Sequence, residues 1–147
     1  MKPINKFSMT MESCSANEFF ARAAVAAFVT QLDPTLEELN DIKTAVSEAV
    51  TNCIVHAYKE SIGKIYIAVE IYQDNLVKIR IKDRGCGIAD VNEAMEPLFT
   101  TVGGERAGLG FAVMQSFTDR ISVRSAVGRG TSVTLIKKLE LRVRKNA

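Results

Sequence analysis

The N-terminal part of the chain changes from alternating to helical spacing of its apolar residues. Polar and apolar side chains alternate over residues 7–11, which predicts a strand with one buried face at the edge of a sheet. Ser15 and Glu18 have the spacing of a capping box and precede a long apolar run, so a first helix is predicted over residues 15–32. These patterns predict a strand followed directly by a helix.

The second predicted helix carries polar side chains beside its buried stripe. Thr35 and Glu38 form another capping-box pair, and apolar residues three and four apart extend from there to about Tyr58. Glu48, Asn52 and His56 are each four residues apart and form a second stripe on the shoulder of the first. Because a charge or an amide left unpaired near a core costs free energy, these side chains are expected to have a partner.

A hairpin is predicted after the second helix. Two alternating segments, residues 64–71 and 77–83, flank a turn at residues 73–75 and indicate two antiparallel strands. Asp83 shares the parity of the inward apolar residues, so its carboxylate is expected to face the helices. An acid at the end of an inward row favours a functional explanation.

The remainder of the chain predicts a loop, a helix and a second strand pair. Residues 85–110 hold six of the nine glycines and are expected to form a loop with a short helix near residues 91–95. A third helix is predicted over residues 109–117, and two last strands surround a turn at residues 128–130, with Thr131 facing inward. This order predicts an α+β fold, a two-layer sandwich of a mostly antiparallel sheet with helices on one face.

Composition narrows the class of protein. With 147 residues, 47% of them apolar, the chain suits a single domain spanning residues 1–147. Its net charge of +2 gives no reason to expect direct nucleic-acid binding, and its basic C-terminal tail is interpreted as a solvated end. Three cysteines without paired spacing favour a reducing cytoplasm over a disulfide framework or a zinc site. No apolar run is long enough to predict a transmembrane helix, so no membrane partner is expected.

Three local signals are compatible with one nucleotide site. Asn52 can offer a carbonyl oxygen to Mg²⁺, and Glu48 can take a proton from an attacking hydroxyl. Asp83 can accept a hydrogen bond from the amino group of adenine, with Gly85 and Gly87 giving the base room. The glycine-rich segment that ends in the third helix is a plausible phosphate cradle. Each signal alone has a simpler reading as a salt bridge, a turn or a mobile loop, but their order and spacing agree.

The same motifs resemble the GHKL superfamily of ATPases and kinases. Residues 48–52, 83–87 and 108–110 resemble its N, G1 and G2 boxes, and Gly130 with Thr131 resembles its last nucleotide contact. Further segments make the chain most similar to the anti-sigma-F factors of spore-forming bacteria: residues 21–28, 31–35, 47–52 and 97–101.

This resemblance implies an anti-sigma factor that is also an ATP-dependent serine kinase. It would hold a sporulation sigma factor inactive and phosphorylate an anti-anti-sigma partner on serine, with ATP and Mg²⁺ as cofactors. Glu48 would be the catalytic base, Asn52 the magnesium ligand and Asp83 the adenine contact. The resemblance gives a role to several further residues: nucleotide binding to Gly85, Gly87, Thr100, Thr101, Gly108, Gly110 and Thr131; neutralisation of the transferred phosphoryl group to Arg106; and partner contacts to Arg22 and Glu105.

The resemblance also implies a homodimer, for which the edge strand at residues 7–11 is a suitable place to pair. Without the resemblance, Arg22 is interpreted as a solvated or salt-bridged side chain. Two alternatives to the sporulation kinase stay open. One is a nucleotide-gated module that sequesters a sigma factor without useful catalysis, and the other is an anti-sigma kinase of the general stress response.

Overall fold

The computed structural model describes residues 1–96 and 110–141, which form an antiparallel five-stranded sheet of order β1-β2-β3-β5-β4. Helices cover one face of this sheet, so the predicted α+β two-layer sandwich is confirmed. No helix in the described ranges is long and apolar enough to cross a bilayer. The elements in chain order are β1 (Asn5–Glu12), α1 (Ala16–Val29), a 3-10 turn (Thr30–Leu32), α2 (Leu36–Asn52), a π-helical segment (Cys53–Ala57), β2 (Lys64–Tyr72), a 3-10 turn (Gln73–Asn75), β3 (Leu76–Asp83), α3 (Val91–Ala94), α4 (Phe111–Phe117), β4 (Arg120–Ala126) and β5 (Gly130–Lys138).

Alternation along the strands places one row of side chains under the helices. In β2 and β3 this row is apolar and almost fully buried until it ends at Asp83, which is 4% exposed. The parity prediction for Asp83 is therefore confirmed. β1 pairs only with β2 among the described strands, so its predicted edge position is also confirmed.

Two helices supply most of the opposing layer. α2 buries Ile42, Val46 and Val50, and α1 buries Val25 and Val29, each with at most 1% of its surface exposed. Burying an aliphatic side chain of this size contributes about 1.5–3 kcal/mol, so this interface is a principal source of stability. It fixes α2, and with it the polar shoulder of α2, against the sheet.

The two predicted capping boxes have different outcomes. At α2 the Thr35 side chain accepts from the Glu38 N–H at 3.0 Å and Glu38 Oε1 accepts from the Thr35 N–H at 2.9 Å, as predicted. At α1 the prediction is wrong, because Ser15 has helical dihedrals and makes no side-chain cap bond. Glu18 instead accepts hydrogen bonds from Arg22 and from Ser47 on α2. Tertiary partners have displaced the local cap.

The helix predicted to run to about Tyr58 changes form before it ends. Regular α-helix stops at Asn52, and the next five residues are π-helical, with the Tyr58 N–H donating to the Cys53 carbonyl at 3.2 Å. A π-helical turn rotates the following side chains away from the four-residue register. The regular four-residue spacing of the helix therefore ends at Asn52.

A half-buried ion pair joins the helical layer to the sheet. Lys137 Nζ lies 3.1 Å from Asp41 Oδ2 on α2 and also donates to the Phe117 carbonyl at the end of α4. These bonds tie α2, α4 and β5 together.

Candidate functional site

A cavity of about 200 Å³ opens where the C-terminal end of α2 meets the ends of β3 and β5. Its wall includes Asn52 from α2, Asp83 from β3, Gly87 from the following turn and Thr131 from β5. Apolar side chains complete the wall, among them Phe111 at the start of α4. The structure thus brings together four of the residues that the sequence singled out.

The Asp83 carboxylate is held in place by donors. Its Oδ1 accepts from the Gly85 N–H at 2.9 Å and from the Thr131 N–H at 3.2 Å, and its Oδ2 accepts from the Cys53 thiol at 3.6 Å. Burial raises the pKa of Asp83, although these donors act in the opposite direction. Burial also raises the pKa of Cys53 well above 9.0, and the neighbouring Asp83 adds to that shift, so the thiol is the donor. The carboxylate is therefore oriented and keeps acceptor capacity toward the cavity.

The turn after β3 requires glycine for close packing. Gly87 has a φ of +76°, and a methyl group built on it would overlap the carbonyl oxygen of Ala126. Gly85 contributes through its backbone, because its N–H holds Asp83 and its α-carbon lies against the Ala57 carbonyl. The turn therefore lies close to the β4–β5 hairpin and closes one side of the cavity.

Asn52 presents an amide to the cavity without a protein partner. Its Nδ2 is buried and makes no hydrogen bond to any described residue. An unsatisfied buried polar group of this kind costs about 1–3 kcal/mol. Because the amide oxygen and nitrogen are assigned from hydrogen bonding, a half-turn of the amide presents Oδ1 instead. The site therefore fits a ligand that supplies this missing partner, either a phosphate oxygen for Nδ2 or a hard cation for Oδ1.

Glu48 lies next to this cavity rather than in its wall. Its side chain lines a neighbouring depression of about 330 Å³ together with Arg22 of α1 and with Lys43 and other residues of α2. Gly110, the residue before α4, has a φ of +71°, and a methyl group there would overlap Glu48 Oε2 and lie 3.1 Å from Glu48 Cδ. Glu48 is thus packed against the entry to α4, one turn from Asn52.

The family of the chain follows from its relatives. Residues 16–137 match the family described as the histidine kinase-like ATPase domain. An anti-sigma F factor of Pasteuria penetrans is 54% identical over 138 residues, which cover 92% of each chain. Those of Caldanaerobacter subterraneus and Bacillus subtilis are 56% and 48% identical, over 90% and 92% of this chain and 93% of each relative. The chain belongs to the anti-sigma F factor family. It is accordingly an anti-sigma factor with an ATP-binding, kinase-like domain.

Solved structures support the fold at low sequence identity. The RsbU and RsbW domains of Rv1364c from Mycobacterium tuberculosis align over 96% of this chain with a TM-score of 0.67 at 19% identity. This chain spans 35% of that longer protein. The histidine kinase domain of the blue-light activated kinase EL346 from Erythrobacter litoralis aligns over 80% with a TM-score of 0.57, also at 19% identity.

Arg22 has partners within its own chain. Its Nε donates to Glu18 Oε2 at 2.7 Å, and its guanidinium lies 5.0 Å from the centre of the Phe19 ring. Ser47, next to Glu48 in sequence, donates to the same Glu18 oxygen at 2.9 Å. Arg22 is therefore salt-bridged within its own helix, and its contact with a partner protein stays a prediction. The guanidinium is held in one orientation at the edge of the depression that Glu48 lines.

Some predicted residues cannot be placed, and another residue of the cavity wall was missed. The segment predicted to form a lid over the phosphates lies outside the described residues, with Thr100, Thr101, Arg106 and Gly108, and so does the predicted partner contact Glu105. Sequence reasoning did not find Cys53 in the cavity wall, because it was counted among the apolar residues of the second helix. The only signal for it was position, since Cys53 follows Asn52.

Proposed function

We propose that this protein binds and inhibits a sporulation sigma factor and, with Mg²⁺ and ATP, phosphorylates a serine of an anti-anti-sigma protein. The observation that carries the proposal is the buried Nδ2 of Asn52, which has no hydrogen-bond partner among the described residues, in the cavity where Asp83 is fixed as an acceptor. The names of the relatives support the sigma-factor part of the proposal.

In this proposal the cavity wall at Asp83 binds adenine. The exocyclic amino group of the base donates to the carboxylate, and apolar residues such as Phe111 and Val133 contact the ring. Thr131 acts from the backbone, because its N–H holds Asp83 Oδ1 at 3.2 Å. Gly85 and Gly87 keep the adjacent turn close without side chains above the base.

Asn52 and Glu48 have different roles at the phosphate end of the nucleotide site. Asn52 holds the magnesium ion through Oδ1, and the bound ion neutralises phosphate charge. Glu48 accepts the proton of the substrate hydroxyl. Its position in the depression beside Arg22 supports this role, since a serine of a partner protein can approach there from outside the nucleotide cavity. Arg106 and the lid threonines would complete the phosphate contacts.

A second candidate is a nucleotide-gated module that captures the sigma factor without useful catalysis. It is favoured by the fact that Glu48 does not line the cavity that contains Asn52 and Asp83. The two functions differ in what the carboxylate does, so substitution of Glu48 separates them.

Transfer of radiolabelled phosphate from ATP to the candidate anti-anti-sigma protein tests the proposal. A general base contributes about 10²- to 10⁴-fold, so Glu48→Gln should lower transfer by at least about 100-fold. ATP affinity, measured by calorimetry, should change less than about twofold. Glu60→Gln, an exposed glutamate after the π-helical segment, is the matched control and should transfer at the wild-type rate. Full transfer by Glu48→Gln would remove the base assignment, and ATP binding without any wild-type transfer would favour the second candidate.

The partner assignments need separate measurements. Binding to a purified sporulation sigma factor and not to a stress sigma factor is the expected result, with Arg22→Ala weakening the complex and Glu105 contributing to partner contact.

We also propose a cytoplasmic homodimer that pairs through the edge strand β1. Light scattering should give twice the chain mass, and a monomer at micromolar concentration would contradict this assembly.

A further inference from the structure

The face of the sheet that points away from the helices is strongly basic. Strand parity assigns its outward side chains directly, because residues that alternate with the buried row point to the opposite face. Its carboxylates are Glu12 and Glu70. Its basic residues are four times as numerous: Lys6, Lys64, Lys78, Arg80, Lys82, Arg120, Arg124 and Lys138.

The two carboxylates satisfy only two of these cations. Lys64 forms an ion pair with Glu12, and Lys78 lies 4.0 Å from Glu70. The other basic side chains of this face make no ion pair with any described residue. The whole chain has a net charge of only +2, so the rest of the sequence carries an acidic excess. Positive charge is therefore concentrated on the outer face of the sheet.

A groove of about 260 Å³ crosses this face between β1 and β3. Small side chains, Ser8, Thr10 and Ala68, form part of its lining, and Arg80 and Lys82 border it. Ser8 on β1 pairs with Ala68 on β2. On its other side, Ala68 pairs with Arg80 on β3. The groove is thus a concave strip with cations along one side.

We propose that this basic sheet face docks an extended acidic segment of a partner protein. Lys78, Arg80 and Lys82 are alternate residues of β3, so their attachment points are spaced about 6.6–6.8 Å apart. Alternate residues of an extended peptide have the same spacing, so a segment with acids at every second position can pair with the row. Complementary charge of this kind guides association and sets the register of the complex.

Other occupants fit less well. A second copy of the chain would bring the same cations face to face, which is repulsive. Single-stranded nucleic acid binds through open aromatic rings as well as through charge. The aromatic ring in the groove, that of Tyr66, already has the Arg84 guanidinium 5.0 Å from its centre. This inference is independent of the nucleotide chemistry, because the basic face and the cavity lie on opposite sides of the sheet.

Fluorescence anisotropy with a labelled glutamate decamer tests the proposal on the full-length protein. The wild type should bind the decamer at low salt, should lose affinity as salt is raised, and should not bind a glutamine decamer. The double variant Arg80→Glu/Lys82→Glu should bind the glutamate decamer at least tenfold more weakly. Lys2→Glu, which reverses an exposed charge outside the sheet, is the control and should change affinity less than twofold.

ATP binding by the double variant establishes that it is folded, and it should match that of the wild type. Equal peptide affinity in the double variant and wild type would overturn the proposal, as would absence of binding by the wild type. A labelled oligothymidylate that binds more tightly than the glutamate decamer, and loses affinity in the same double variant, would overturn the assignment of a protein partner.

Discussion

Replacing Asp83 by asparagine should weaken ATP binding without lowering the stability of the ligand-free protein. Oδ1 of Asp83 accepts hydrogen bonds from two backbone N–H groups, at 2.9 and 3.2 Å. An asparagine at this position should therefore keep its amide oxygen in the place of Oδ1. Its Nδ2 then takes the place of Oδ2 and offers a donor where adenine also offers a donor. Loss of a hydrogen bond to a charged acceptor costs about 1.5–3 kcal/mol. Because about 1.4 kcal/mol corresponds to tenfold in affinity, ATP should bind Asp83→Asn at least about tenfold more weakly.

The same substitution should not destabilise the ligand-free protein. Burial raises the pKa of Asp83 above its ordinary value of 3.8, so the folded state holds this proton more tightly than the unfolded chain does. The stability of the wild type therefore falls as the pH rises from the ordinary pKa of Asp83 to its raised pKa in the folded state. Above the raised pKa, the buried carboxylate is charged and its full cost in folding free energy remains. Asp83→Asn removes the titrating group, so its stability should lack this slope and should equal or exceed that of the wild type at pH 7.

Calorimetry of ATP binding and urea denaturation between pH 4 and 8 measure both effects. Asp74→Asn is the matched control, because Asp74 lies in an exposed turn at a φ of +63°, which asparagine tolerates. It should not alter ATP affinity. Unchanged ATP affinity in Asp83→Asn would refute the adenine assignment. A marked loss of stability at pH 7 would refute the argument from burial.

Three further substitutions test the packing of Glu48 and the stability of the helical layer. Gly110→Ala should lower phosphoryl transfer more than ATP affinity, because the new methyl group displaces the Glu48 carboxylate; Gly128→Ala, also at positive φ but with open space around it, should affect only stability. Thr35→Ala should lower the free energy of unfolding by about 1 kcal/mol through loss of the α2 cap, as measured in urea. Lys137→Met should lower it by about 1–3 kcal/mol, because the acid and carbonyl that Lys137 contacts lose a charged donor; an unchanged midpoint would show that this ion pair is dispensable.

Local pattern alone predicted most of the fold. Alternation and turn residues identified the strands, and their parity placed Asp83 on the inward face before any contact was known. The α2 cap was also predictable, because its two reciprocal hydrogen bonds join Thr35 and Glu38, three residues apart, although Glu38 also accepts from the distant Glu140 N–H. These features depend on neighbours in sequence, and the physical rules that govern them have short range.

Tertiary contacts decided the rest. Glu18 could cap its own helix or bond to Ser47 on α2, and only the packing of α1 on α2 selects the second arrangement. The helix becomes π-helical after Asn52, which the spacing of its apolar residues did not predict. The separation of Glu48 from the cavity of Asn52 likewise follows from how α4 packs on α2. The sequence by itself determined which polar groups lie on the inner layer, because periodicity is a local property. The partner that each group meets depends on the assembled helices and sheet, because residues far apart in the chain compete for the same atoms.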